Sequence, residues 1–354
     1  MNSVETIIQP EELILVTGAA GFMGPRVVEQ LLERGFRNLR CFVRPSSNVA
    51  KLEAIIERQR DQARIEIVRG NLLSREDCLA AAKDVVVIYH LAAGRGEKFY
   101  ADAFMNSVVT TRNLLEATRQ FSTLKRFVSL SSFAVYTNRN KPRTGWLDES
   151  CPIEQRPECR GDAYSFAKVK QDELVAEYGA KYGIPYVIVR PGVVYGPGNE
   201  AITGRIGIGT FGVFLHLGGG NSIPFTFVDN CADAVVLAGL KPGVDGEAFN
   251  VVDDHPLRSR QFLKLYKQSV RRFFSVYVPH WMSFLMCWVW EKYSAWSQGQ
   301  LPPTYNRAAW YAYWKKTRYS NEKIKTRLGW VPRVTAADAL ARHFESCRRK
   351  VSRA

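Results

Sequence analysis

Leu13-Ile14-Leu15-Val16-Thr17-Gly18-Ala19-Ala20-Gly21-Phe22-Met23-Gly24 is the stretch that decides how this chain is read. The apolar run Leu13 to Val16 suits a parallel strand covered on both faces. Gly18 permits a tight turn, Gly21 lets an anion approach the backbone, and Gly24 lets the next helix pack close to the strand. That helix begins with unpaired N–H groups and the positive end of its dipole. A dinucleotide pyrophosphate is the expected occupant. By itself the stretch also suits an ordinary strand-to-helix turn.

Outward from it the pattern alternates. Val27, Val28, Leu31 and Leu32 keep helical spacing, with Pro25 tolerated in the first turn and Gly35 as the stop. Strands are expected at Leu39 to Val43, Arg64 to Val68, Val85 to Leu91, Arg126 to Leu130 and Tyr186 to Arg190. Helices are expected at Asn48 to Arg60, Ser74 to Ala82, Phe99 to Gln120 and Tyr164 to Tyr182. Further on, Ile223 to Val228 and Ala248 to Val252 read as strands and Asp229 to Leu240 as a helix. Pro191 to Gly198 leaves the sheet, and from there to Gly220 the chain reads as glycine-rich and irregular. The fold class is therefore α/β, a Rossmann-like doubly wound parallel sheet with a smaller, mostly helical C-terminal lobe. The expected division gives 10–190, with a returning segment near 223–252, to the dinucleotide. It leaves 191–222 and 253–350 to the substrate. Ligands belong at the carboxyl ends of the strands. The long loop from Tyr136 to Asp162 is a second functional candidate by its length.

The chain has 354 residues and a net charge of +15, which suits a phosphate-bearing ligand or an anionic membrane surface. No nucleic-acid-binding module is recognisable, and no nucleic-acid partner is expected. Seven cysteines without a C-x-x-C pair point to a reduced, cytoplasmic protein with no zinc site and no other metal. Residues 1–12 carry acids and no apolar core, so no signal peptide is expected. Phe273 to Trp290 contains no Lys, Arg, Asp or Glu and has three tryptophans, with Pro279 and His280 interrupting it. Its first reading is a buried or lid helix over an apolar pocket. Its second is peripheral membrane contact through 273–314, where Trp310, Tyr311, Tyr313 and Trp314 precede Lys315 and Lys316.

Two residues carry the chemistry. Tyr164 and Lys168 stand four apart on one predicted helix and share a face. A phenol titrates near ~10, and a neighbouring ammonium stabilises its phenolate. Tyr164 can then exchange a proton with an alcohol or carbonyl oxygen while a hydride passes to or from a nicotinamide. Ser132, at the end of the fifth strand, can hold the same oxygen. Arg44 ends the second strand, beside Ser46 and Ser47, where a carboxylate would bind the ribose diol of NAD. A cation there pairs with a 2′-phosphate. NADP(H) is favoured, with NAD(H) the alternative.

Together these segments resemble an extended short-chain dehydrogenase/reductase of the NAD-dependent epimerase/dehydratase group, over nearly the whole chain. Thr17 to Gly24 resembles its cofactor turn and His90-Leu91-Ala92-Ala93 its fourth-strand end. Asn106 falls at its helix-bulging asparagine. Ser131 to Tyr136 resembles its serine segment and Tyr164-Ser165-Phe166-Ala167-Lys168 its catalytic pair. Arg190 to Gly198 and Phe227 to Ala234 match two later motifs. The resemblance implies a catalytic set of Ser132, Tyr164 and Lys168. It implies cofactor contacts from Gly18, Ala20, Gly21, Phe22, Met23, Gly24, Arg44, Ser47, Asn71, Leu72, Leu91, Ala92, Ala93, Asn106, Tyr164, Lys168, Pro191 and Val193. It also implies a homodimer formed through the helices at Phe99–Gln120 and Tyr164–Tyr182.

The departures bear on substrate. Asn71 replaces an aspartate usual in the adenine loop. Val193 stands where many sugar-nucleotide epimerases place an asparagine. The expected function is hydride transfer at a secondary alcohol or ketone carbon, first of a nucleotide-activated sugar. The alternative is a lipophilic hydroxy or keto compound, as in hydroxysteroid dehydrogenases and ketone reductases of the same superfamily. A cofactor-binding scaffold without turnover is the alternative of another class.

Overall fold

The opening apolar run is an interior strand of a seven-stranded parallel sheet, next to the strand at its centre. The computed structural model describes residues 5–94, 99–139, 145–210, 212–298 and 300–352. The first half runs β1 (Ile14–Thr17), α1 (Gly24–Glu33), β2 (Asn38–Val43), α2 (Ala50–Arg58), β3 (Arg64–Arg69), α3 (Arg75–Ala82) and β4 (Val87–His90). The expected helix at Phe99 to Gln120 is α4 (Tyr100–Ala103), a π-helical turn (Phe104–Val109) and α5 (Thr110–Thr118). The bulge therefore falls on Asn106. Then come β5 (Arg126–Leu130), the short β6 (Trp146–Leu147), α6 (Ala163–Tyr182) and β7 (Tyr186–Pro191).

After β7 the chain forms β8 (Val193–Tyr195), β9 (Gly207–Thr210), β10 (Val213–His216), β11 (Phe225–Phe227), α7 (Val228–Leu240) and β12 (Glu247–Val251). The segment expected to be irregular thus contains two strands, β9 and β10. Partners lie far along the chain: β8 pairs β11, and β10 pairs β13 (Ser275–Tyr277). The tail comprises α8 (Ser259–Ser269), β13, α9 (His280–Trp296), α10 (Arg307–Tyr313), β14 (Arg318–Tyr319), α11 (Glu322–Leu328) and α12 (Ala336–Val351).

Strand order in the main sheet is β12-β7-β5-β4-β1-β2-β3. Direction of winding reverses between β1 and β4, which opens a crevice above their carboxyl ends. Successive residues of β1 point to opposite faces. Ile14 and Val16 pack under α1, α2 and α7, and Leu15 packs under α3, α5 and α6. Both faces are dry, which explains why β1 and β4 lack a polar alternation.

The Phe273 to Trp290 stretch departs from its first reading. Pro279 ends the extended segment, and α9 starts after it. The helix buries Ser283, Cys287 and Ser294 and turns Trp281, Trp288 and Trp296 outward, while Trp290 packs on Tyr305. It is not a buried helix. Among the described residues no helix is long and apolar enough to cross a membrane. All seven cysteines are free thiols.

Candidate active site

A cleft of about 1660 Å³ runs along the carboxyl ends of the sheet and under the segment at 302–314. All the residues expected to act in catalysis or to contact the cofactor line it. The glycine turn explains how. Gly18 has φ +66°, and a Cβ there would stand 2.9 Å from the Ala92 nitrogen. Its carbonyl accepts from the Gly21 N–H at 2.9 Å. A Cβ on Gly24 would lie 2.1 Å from the Ala19 oxygen, so only glycine lets α1 start this close to β1. Over Gly21 the space is open apart from the Gly18 oxygen at 3.0 Å. Met23 gives the helix no side-chain cap. Gly21, Phe22, Met23 and Gly24 line the cleft at the start of the helix, a cradle that fits a pyrophosphate. Arg26 braces the turn by donating to Phe22 O (2.8 Å), Pro197 O (2.8 Å) and Asp229 (3.0 Å).

On the β2 side, exposed Arg44 and half-buried Ser47 close a turn, with Ser47 N–H donating to Arg44 O at 3.0 Å. Asn71 serves its own loop: its Oδ1 accepts from Leu73 N–H at 3.0 Å. Asp77 receives the Asn71 N–H at 2.7 Å, so the loop is held although the usual aspartate is missing. Leu72 is buried and its carbonyl accepts from Asn113 at 3.0 Å. At the end of β4, Leu91, Ala92 and Ala93 form a small-residue floor beside Gly18.

Ser132, Tyr164 and Lys168 face the same cleft from β5 and α6. Ser132 is 9% exposed, and its Oγ accepts from Ala134 N–H at 3.1 Å. Asp162 caps α6 by accepting from Tyr164 N–H at 3.1 Å. Lys168 is 3% exposed and donates to Leu130 O (2.6 Å) and Gln171 Oε1 (2.8 Å). Burial pushes its ammonium down to about 8, with Asp172 opposing.

Behind Lys168 runs a buried polar chain that the sequence reading missed. Gln171 Nε2 donates to Thr111 Oγ1 at 2.8 Å, and Thr111 spends its own proton on Ser107 O at 2.5 Å. His90 Nε2, 2.9 Å from Thr111 Oγ1, must therefore carry a proton and donate. Its Nδ1 then accepts from Thr17 Oγ1 at 2.9 Å. One tautomer is fixed by its neighbours. Burial, and secondarily Lys168, holds His90 at about 3, so it stays neutral. The chain links the glycine turn to Lys168 through the core. In the sequence its members look like ordinary strand and helix residues.

The loop from Tyr136 to Asp162 reaches the cleft with the residues at its end. Arg160 is 1% exposed and donates to the carbonyls of Ala134 and Tyr136, leaving its Nε unpaired. Tyr313 of α10 reaches across the cleft and donates to Asp162 Oδ2 at 2.6 Å. Arg190, by contrast, is structural. It pairs with buried Asp172 at 3.0 Å and donates to Tyr136 OH at 3.0 Å.

A family model for the NAD-dependent epimerase/dehydratase family matches residues 14–251. The chain belongs to that family. Its members are enzymes of the extended short-chain dehydrogenase/reductase type that transfer a hydride at a secondary alcohol or ketone carbon, and this epimerase/dehydratase-family chain has the dinucleotide-binding fold that chemistry requires. It is 26% identical over 348 residues to sterol-4-alpha-carboxylate 3-dehydrogenase, decarboxylating, of Mus musculus, covering 94% of this chain and 90% of that one. It is 29% identical over 254 residues to an uncharacterized UDP-glucose epimerase of Bacillus subtilis, covering 67% and 76%. Its fold is similar to that of UDP-glucuronic acid 4-epimerase from Bacillus cereus, solved with UDP-glucuronic acid and NAD. That match has TM-score 0.70 and 21% identity over 96% of this chain and 99% of that one.

Proposed function

We propose that this enzyme uses NADP(H) to oxidise or reduce a hydroxyl or keto group on a lipophilic substrate. The observation that carries the chemistry is the meeting of Ser132, Tyr164 and Lys168 on the cleft that the glycine turn floors. Gly18 to Gly24 would hold the pyrophosphate, Arg44 and Ser47 the 2′-phosphate, Leu72 the adenine side, and Pro191 and Val193 the nicotinamide side. A bound nicotinamide supplies or accepts the hydride. Tyr164 gives its phenolic proton to the carbonyl oxygen in reduction and takes it from the alcohol in oxidation. Lys168 stabilises the phenolate left on Tyr164. Ser132 donates to the same substrate oxygen and fixes its position.

The substrate reading rests on the far end of the cleft. Phe225, Phe262, Tyr305 and Trp314 are apolar members of its lining, a wall suited to a flat lipophilic ring system. The full-length likeness to a sterol dehydrogenase supports the same reading. A second reading, a nucleotide-activated sugar, is favoured by Arg160 with its unpaired Nε and by Arg205, both on the cleft. The likeness to a UDP-glucose epimerase supports it. We assign the cofactor half to 10–190 and 223–252, the substrate lobe to 191–222 and 253–350, and a homodimer to the helices around Phe99, where Phe99 and Met105 are exposed.

Two experiments test this. Tyr164→Phe should lower turnover by about 10²–10⁴-fold with cofactor affinity kept, and unchanged turnover rules out the proton role. Denaturing the purified protein and identifying the released nucleotide separates the substrate readings. An exchangeable NADPH supports the net oxidoreductase. A tightly held oxidised nicotinamide supports the epimerase type, in which the cofactor is regenerated within each turnover.

A further inference from the structure

Helix α9 is amphipathic the wrong way round. Its fully buried residues are small, Ser283, Cys287 and Ser294, with half-buried Phe284 and Trp290 packed on Trp310 and Tyr305 beside them. Its outward stripe is Trp281, Leu285, Trp288, Val289 and Trp296, positions that share one helical face. Trp281 is 69% exposed and Trp296 is 76% exposed. Soluble helices bury such a stripe. The strand before it, β13, adds exposed Val276 and Tyr277, and Phe274 just ahead of it is exposed too. A contiguous patch of this kind marks a partner surface.

The charge around it says which partner. Between Arg258 and Arg318 the chain has eleven lysines and arginines and one acid, Glu291. That acid is taken by Arg307 at 2.8 Å. The region therefore holds ten of the chain's fifteen net positive charges. Arg271, Arg272 and Lys292 are exposed, and Lys292 stands within the apolar stripe itself. A second copy would set like charge against like charge. An anionic bilayer takes the apolar stripe into its acyl boundary and meets the cations with its headgroups. We propose that α9 and the β13 segment before it form a docking face for an anionic lipid surface. The enzyme rests on that surface without spanning it. This holds whichever substrate the cleft takes.

The test is flotation of the full-length protein with phosphatidylcholine vesicles, with and without phosphatidylserine. The protein should float with the anionic vesicles, remain in solution with the neutral ones, and be released by high salt. Tryptophan emission should shift to the blue on binding. The variant Trp281→Ser/Leu285→Ser/Trp296→Ser should lose about tenfold in partitioning for each tryptophan removed. Arg271→Gln/Arg272→Gln should lose about fivefold per charge. Both variants should bind NADPH as the wild type does, which shows that they are folded. Wild-type protein that stays in solution with anionic vesicles at low salt overturns the proposal. So does a triple variant that floats unchanged. A wild-type dimer that the triple variant converts to monomer, without vesicle binding by either, assigns the face to a second copy and overturns it as well.

Discussion

Gln171→Leu isolates the polar chain behind the proposed catalytic lysine. The substitution removes the acceptor 2.8 Å from Lys168 Nζ and the donor 2.8 Å from Thr111 Oγ1. A hydrogen bond to a charged group contributes ~1.5–3 kcal/mol, and one pKa unit is ~1.36 kcal/mol. Lys168, already lowered to about 8 by burial, should fall by roughly one to two further units. At pH 7 the ammonium then drops from about nine tenths of molecules to half or fewer. Loss of the ammonium removes the charge that stabilises the Tyr164 phenolate. The alkaline limb of the pH profile of kcat/KM should move by the same amount toward acid. Gln171→Glu should move it the other way, because a carboxylate at that place favours the ammonium. A purely structural role for Gln171 would lower both variants' stability and leave both limbs in place. Competitive amine labelling of Lys168 across the pH range, read by peptide mass spectrometry, measures the same shift without a substrate. Identical limbs in wild type, Gln171→Leu and Gln171→Glu refute the reasoning.

Arg44→Ala should weaken NADPH by about 10- to 100-fold, the loss of one charge-assisted hydrogen bond, and leave NADH nearly unchanged; equal losses in fluorescence titrations remove the 2′-phosphate role. Gly24→Ala should cost about 3 kcal/mol and cofactor affinity with it, because its Cβ would sit 2.1 Å from Ala19 O. Gly35→Ala, at φ +87° with open space around it, should cost only about 1 kcal/mol, and equal melting temperatures for the two would refute the close approach. His90 is held at about 3 by burial, below its ordinary 6.5, so the unfolded chain takes up its proton first as pH falls. Its contribution is present above about pH 6.5 and is lost toward pH 3, about 2 kcal/mol of it between pH 7 and pH 5. Urea midpoints at the two pH values should show that loss in the wild type and less of it in His90→Gln.

What the sequence made legible was local. The turn from Thr17 to Gly24 works through its own backbone, and Tyr164 and Lys168 share one helical face whatever packs around them. The seven-stranded sheet followed because each βαβ unit declares itself within about thirty residues. What stayed hidden is assembled from distant segments. The short strand β10 exists because Ser275–Tyr277 comes to lie beside it. The chain from Thr17 through His90, Thr111 and Gln171 to Lys168 joins two strands and two helices. Neither has a spacing to read. The α9 stripe failed for another reason. Hydropathy reports that a segment is apolar, while the side that faces solvent is set by what the rest of the chain offers to pack against it. Here the inward side is filled by Ser283, Cys287 and Ser294 with Phe284 and Trp290.

The same assembly joins the proposed docking face to the proposed chemistry. Glu291 of α9 holds Arg307 of α10 at 2.8 Å, and Trp310 Nε1 donates to Ser283 Oγ at 2.9 Å. One face of α9 is thus fastened to α10 while the other is bare. Tyr313, at the end of α10, donates to Asp162, and Asp162 caps the helix turn that carries Tyr164. Each of these contacts is made by a buried or half-buried pair, so a shift of α9 has a rigid path to the first turn of α6. Whatever surface α9 rests on is separated from Tyr164 by one helix and one carboxylate. The same two helices hold part of the cleft wall, with Trp290 of α9 packed on Tyr305 and Trp314 following the end of α10.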